Sequence, residues 1–97
     1  MIWLDLNNPE FQANLLDLDK PQAWAILQTL RLLQAMTWLQ LQQSKGLRWE
    51  LIQSRQGPQG ERLYSLGVSP SCRAVAWPEG DWLRFISLHP DHDSAYR

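Results

Sequence analysis

The spacing of apolar residues changes character at Gly46. Upstream, Ala23, Ile26, Leu27, Leu30, Leu33 and Thr37, with Leu32, Met36 and Leu39 beside them, recur at the helical period. Trp24, Ala35, Trp38 and Leu41 widen this arc, and a stripe so wide calls for more than one packing neighbour. Asp19-Lys20-Pro21-Gln22 has the capping-box pattern that opens such a helix. Lys45-Gly46 closes it after about Gln43, the cation suiting the C-terminal dipole and the glycine the left-handed cap. An earlier helix begins at Asn8-Pro9, where Asn8 can cap and Pro9 suits the first turn. Phe11, Leu15, Leu16 and Leu18 form its apolar side, and it stops near Leu18. Ile2-Trp3-Leu4 reads as a short strand before it.

Downstream of Gly46 the period falls to two. Leu47, Trp49 and Leu51 alternate with Arg48, Glu50 and Ile52. Residues 63–68, 72–77 and 82–88 form three more strands, with Tyr64, Leu66 and Val68 on one side of the first. Gly57-Pro58-Gln59-Gly60, Pro70 and Pro78-Glu79-Gly80-Asp81 separate them as turns. Closely spaced strands with tight turns predict an antiparallel meander. The expected class is therefore α+β, in the order β-α-α-β-β-β-β: a short strand, then a helical hairpin packed on one face of a twisted antiparallel sheet.

Residues 1–97 suffice for one domain with a modest core. At 44% hydrophobic and 20% charged residues the chain lies outside the disordered class. No apolar run approaches the roughly 20 residues of a membrane helix, and Met1-Ile2-Trp3-Leu4-Asp5 lacks the basic region and cleavage site of a secretory signal. Cys72 is the single cysteine, which excludes an intrachain disulfide and fits a reducing cytoplasm. The net charge is −1, so any nucleic-acid surface must come from clustering of its cations. Between residues 46 and 88 the cations are five arginines, Arg48, Arg55, Arg62, Arg73 and Arg84, against the four carboxylates of Glu50, Glu61, Glu79 and Asp81, an excess of one positive charge. Arginine is the better fork for phosphate.

Beyond the last strand lies His89-Pro90-Asp91-His92-Asp93-Ser94-Ala95-Tyr96-Arg97, which holds both histidines. By residue type alone it is a polar tail, and its His and Asp spacing matches no standard metal site. Arg73 taken alone reads as a solvated strand residue. Trp24, Trp38, Trp49 and Trp77 read as core, Trp82 as partly exposed after its turn, and Cys72 as a small buried hydrophobe. The long helix's apolar arc is either sandwiched between sheet and first helix or partly turned outward as a docking face.

One set of residues resembles the RelE/ParE family of bacterial toxins. Gly46-Leu47-Arg48 leads into a strand; Leu63-Tyr64-Ser65-Leu66 and Cys72-Arg73-Ala74-Val75 follow; Gly80-Asp81 precedes Leu83 and Phe85; Leu88-His89 ends the last strand, with Tyr96 beyond. The similar stretch covers about residues 9–96. The resemblance implies the toxin of a type II toxin–antitoxin module, a ribosome-dependent endonuclease that cuts messenger RNA. It implies an antitoxin, the ribosome and mRNA as partners, a homodimer or toxin–antitoxin hetero-oligomer, a cytoplasmic location, and neither cofactor nor metal. Arg73 matches the arginine that holds the scissile phosphate, His89 or His92 the histidine zone after the last strand, and Tyr96 the C-terminal aromatic. Gly67 and Pro90 stand where family members carry cations, and Asp91 and Asp93 add negative charge. These departures fit the alternative: a non-catalytic binder on the same fold, either a gyrase inhibitor or an inactive toxin that only engages an antitoxin.

RNA cleavage of this type needs a base for the 2′-hydroxyl, an acid for the departing 5′-oxygen and a cation for the phosphate oxygens. His89 and His92 are the candidate base and acid. Arg73 is the stabiliser, by bidentate contact, and Tyr96 the group that stacks or positions. Arg55, Arg62 and Arg84 are secondary phosphate contacts, with strand sidedness deciding which can reach.

Overall fold

The computed structural model describes residues 1–90. Eight elements follow one another: β1 (Trp3–Asp5), α1 (Pro9–Leu16), α2 (Lys20–Gln34), α3 (Trp38–Gln43), β2 (Glu50–Gln56), β3 (Arg62–Ser69), β4 (Cys72–Glu79) and β5 (Trp82–His89). The strands form one sheet in the order β1-β5-β4-β3-β2. β2 to β5 make the expected antiparallel meander, and β1 adds to its far side parallel to β5, pairing Trp3 with Trp82 and Asp5 with Arg84. This is the expected α+β arrangement, with β1 as a parallel edge strand that the local pattern could not place.

Both early helices start as the sequence dictates. The Asn8 side chain accepts from the backbone N–H groups of Glu10 and Phe11, and Asp19 accepts from that of Gln22. The single long helix expected to run to Gln43 is in fact two. α2 ends at Gln34, and Thr37 caps a new helix: its hydroxyl accepts from Gln40 N–H at 3.1 Å while Gln40 Oε1 accepts from Thr37 N–H at 2.9 Å. The reciprocal cap satisfies two otherwise orphan donors, and α3 then buries Leu41 completely.

α1 packs on β5, and α2 on β3 and β1. Between helices and sheet lies the main core. Ile2, Phe11, Ile26, Leu33, Leu41 and Leu66 are buried there, along with Cys72, Ala74, Ala76, Leu83, Phe85 and Leu88. Phe11 meets Phe85 with ring centroids 5.3 Å apart, a tilted arrangement that aromatic quadrupoles favour. The outer side of α2 stays uncovered: Trp24, expected in the core, is 58% exposed, and Leu27 and Leu32 are exposed beside it. Its arc is wide because it continues past the core rather than because two layers enclose it.

The sheet's other face is not simply polar. Ile52, Leu63 and Val75 form a second buried cluster there, against which Trp77 and Ile86 pack. β4 is buried on both sides from Cys72 to Ala76, so Arg73, which alternation places on the second face, lies in the interior of the sheet.

Candidate phosphate-binding site on the second sheet face

The pairing register sets the site. Gly67 of β3 stands opposite Arg73 of β4, and Arg73 stands opposite His89 of β5. Directly opposed residues share a face, so the three form one row. The adjacent row is Ser65, Val75 and Ser87. An irregularity in β5 makes both rows possible. Val75 pairs with Ser87 and Ala76 with Phe85, which leaves Ile86 as an extra residue. Strict alternation would put Ser87 and His89 on the core side with Leu83 and Phe85. The bulge at Ile86 turns them to the second face, beside Arg73.

Arg73 is 2% exposed, not the solvated strand residue that its position in the sequence indicates. Its Nη2 donates to Ser65 Oγ and to the carbonyl oxygen of Arg48, both at 2.7 Å. Nε has no acceptor. Among the described residues no carboxylate pairs with this guanidinium, whereas Arg48 pairs with Glu50, and Arg84 with Asp5 and Glu79. A cation held out of water with neutral partners alone is costly, and an anion would offset that cost.

The local backbone is shaped around this cation. Arg48 has a φ of 52°, a left-handed conformation uncommon outside glycine, and its carbonyl reaches Arg73. One residue earlier, Leu47 O accepts the Gly67 N–H at 2.6 Å. The loop before β2 is thereby laid over the end of β3. A Cβ at Gly67 would come within 3.4 Å of Arg73 Nη1 and 3.5 Å of Leu47 O, so glycine keeps the approach to the guanidinium uncrowded. Gly46, Arg48, Gly67, Ser69, Pro70 and Arg73 are among the residues that line a cavity of about 340 Å³. Ser69 Oγ, on its wall, is buried without a hydrogen-bond partner among the described residues. Among the described residues its lining holds Arg73, an orphan hydroxyl, Arg48 in a long ion pair with Glu50, and no carboxylate, which suits an anion.

His89 ends β5, half-buried, with Nε2 2.8 Å from Ser87 Oγ. Which of the two donates depends on the imidazole tautomer. Cys72, next to Arg73, faces the main core and is fully buried. Burial pushes its thiol up, against a smaller opposing effect of a backbone hydrogen bond with His89, which leaves it a poor nucleophile.

The remaining candidates are not gathered here. Arg84 lies five residues from His89 along β5, about 16 Å at a strand's rise. It is held by Asp5 and Glu79, and its guanidinium sits 5.8 Å from the ring centroids of both Trp77 and Trp82. Its pKa is raised, first by the Glu79 hydrogen bond and then by Asp5. Arg55, half-buried on β2, and Arg62, exposed at the start of β3, lie toward the opposite end of β3 from Gly67. His92 and Tyr96 lie outside the described residues, as do Asp91 and Asp93. Sequence reasoning missed Ser65, Ser69, Ser87 and the Arg48 carbonyl. Ser65 and Ser69 were legible as small polar residues in step with Gly67 on alternating positions. Ser87 was masked by the bulge, and the carbonyl left no signal.

No protein family model and no curated protein matches the chain. Among solved structures the fold is similar to that of a copper-bound mutant toxin from Helicobacter pylori, with a TM-score of 0.57 and 17% identity over 97% of this chain and 98% of that one. Similarity over the whole length at so low an identity establishes a shared fold. Among the described residues no three His, Cys, Asp or Glu side chains group as metal ligands, and no described helix is long and apolar enough to cross a membrane.

Proposed function

We propose that this chain is the toxin of a type II toxin–antitoxin module and acts as a ribosome-dependent endonuclease on messenger RNA. The observation that carries the reading is the row formed by Arg73 and His89: a buried guanidinium with an unpartnered Nε beside an imidazole on the next strand. The toxin among solved structures that shares the fold adds support, as does the resemblance carried by Arg73, His89 and Tyr96.

In this reading the scissile phosphate enters the cavity over Gly67 and takes the free donor of Arg73. His89 exchanges a proton with the 2′-hydroxyl or the 5′-oxygen, its tautomer set by Ser87. His92 supplies the complementary acid or base, and Tyr96 positions the nucleotide. Charge building up on the phosphate oxygens meets a cation already fixed by Ser65 and the Arg48 carbonyl, so little reorganisation is needed at the moment of reaction. The partners are the ribosome with its mRNA and, in the resting cell, an antitoxin that binds the toxin in a cytoplasmic hetero-oligomer.

Expression of the wild-type chain in a bacterial host should arrest growth and leave new 5′ ends within translated messages. Arg73→Ala and His89→Ala should each relieve the arrest. Normal growth with intact messages rejects the nuclease reading. A second reading is favoured by the locking of Arg84 between Asp5 and Glu79 and by the net charge of −1, which leave few cations for RNA. It is a non-catalytic binder, either of gyrase or of an antitoxin alone. Stable complexes without cleavage would select it.

A further inference from the structure

A second cavity, of about 460 Å³, opens on the same sheet face and differs in chemistry from the first. Its apolar wall is Leu63, Trp77 and Ile86, which belong to or pack on the small second-face cluster. The remaining lining residues, Asn8, Glu10, Arg55, Gln56 and the Gly57-Pro58 turn, form its polar rim. Trp77 is four residues from Arg73 on β4 and shares its face by alternation, about 13 Å away at a strand's rise. The Trp77 ring is steadied by the Arg84 guanidinium, 5.8 Å from its centroid. The carboxylate and cation of the rim balance each other, so this cavity has no net attraction for phosphate. By contrast, the described lining of the cavity at Arg73 has no carboxylate, and Arg73 there has no carboxylate partner among the described residues.

We infer that this cavity holds an unpaired RNA base of the strand whose phosphate lies on Arg73, with Trp77 as the aromatic wall. The inference rests on the RNA-directed reading above. An apolar, aromatic-walled slot takes the flat face of a base. Side chains of the Gln and Glu type meet the hydrogen-bonding edges of exposed bases, and Gln56 and Glu10 stand at the rim. The anion-attracting end and the neutral, apolar end lie along one strand, the layout that a single-stranded segment running along β4 would need.

The test is binding of the full chain to a short single-stranded oligoribonucleotide and to the same oligonucleotide carrying one abasic position, scanned along its length. The wild type should lose about tenfold or more in affinity when one particular base is removed. Trp77→Leu should weaken the intact oligonucleotide by a similar factor and leave the abasic one unchanged. Arg73→Ala should weaken both. Gln56→Ala, at an exposed position, should change which base is preferred. Equal affinity of the wild type for intact and abasic strands, with Arg73 dependence retained, overturns the base pocket while leaving the phosphate site standing. If Trp77→Leu then weakens a complex with a protein partner instead, the cavity belongs to a protein side chain and the inference is also overturned. Failure of the wild type to bind either oligonucleotide overturns this inference, while the ribosome-dependent reading is decided separately by growth arrest and cleaved messages.

Discussion

Arg73 and His89 stand opposite each other across the β4–β5 ladder, and each is tied to a serine of the adjacent row. Arg73 Nη2 donates to Ser65 Oγ at 2.7 Å, and His89 Nε2 lies 2.8 Å from Ser87 Oγ. The two groups are presented side by side from rigid strands rather than from loops, which fixes their separation more tightly than a loop would.

A buried guanidinium with an unpartnered Nε should make stability depend on anions. Inorganic phosphate at about ten times its Kd would contribute about 1.4 kcal/mol, a rise in Tm of several degrees for a domain of this size. Arg73→Met should stay within about 2 kcal/mol of wild-type stability, because a buried ion can often be replaced by an apolar group of similar volume, but its Tm should no longer respond to phosphate. A phosphate-independent Tm in the wild type would show that the cavity does not bind anions.

Gly67 allows a direct test of access. An alanine Cβ would sit at ordinary van der Waals distance, 3.4 Å from Arg73 Nη1. Gly67→Ala should therefore fold normally and change stability by under about 1 kcal/mol. Gly67→Leu should crowd the guanidinium and abolish the phosphate response while far-ultraviolet circular dichroism stays native. Unchanged phosphate binding in Gly67→Leu would place the anion elsewhere.

The β1 edge should be sensitive to acid. Asp5 is held below the usual carboxylate range, first by the Asn7 backbone N–H and then by Arg84, with burial opposing them. A carboxyl whose folded pKa is depressed contributes its stability above the unfolded value, about pH 4. The contribution is lost as pH falls through the folded value. Asp5→Asn should lower Tm at neutral pH and flatten the acid limb of a Tm scan from about pH 2 to 7. Parallel curves for wild type and variant would contradict this.

The break between α2 and α3 depends on one cap. Thr37→Ala removes the acceptor for Gln40 N–H and should cost about 0.5–2 kcal/mol in urea denaturation, with the m-value unchanged. A cost near zero would mean that the break at residues 35–37 is set by burial of Leu41 alone.

The class of fold was legible because local rules carry it. The change of period at Gly46, the caps at Asn8 and Asp19 and the turns at residues 57–60 and 78–81 each act within a few residues. The break before α3 also has a local signal, the Thr-x-x-Gln box of Thr37 and Gln40. It is hidden because Ala35, Met36 and Trp38 continue the apolar run across it.

What the sequence alone determined was the alternation that puts Ser65 with Gly67, and Arg73 with Val75 and Trp77, each set on one side of its strand, since successive strand residues must point to opposite sides. Which residues stand opposite one another was decided only by tertiary structure. Register and the parallel placement of β1 depend on burial of non-local apolar groups such as Phe11 against Phe85, not on any neighbour in the chain. The same burial holds both Phe85 and Leu88 in the main core, and the extra residue between them turns Ser87 and His89 toward Arg73. The burial of Arg73 was also decided there: a loop that bends back through Arg48 closes over a side chain twenty-five positions away, and no local pattern encodes that contact.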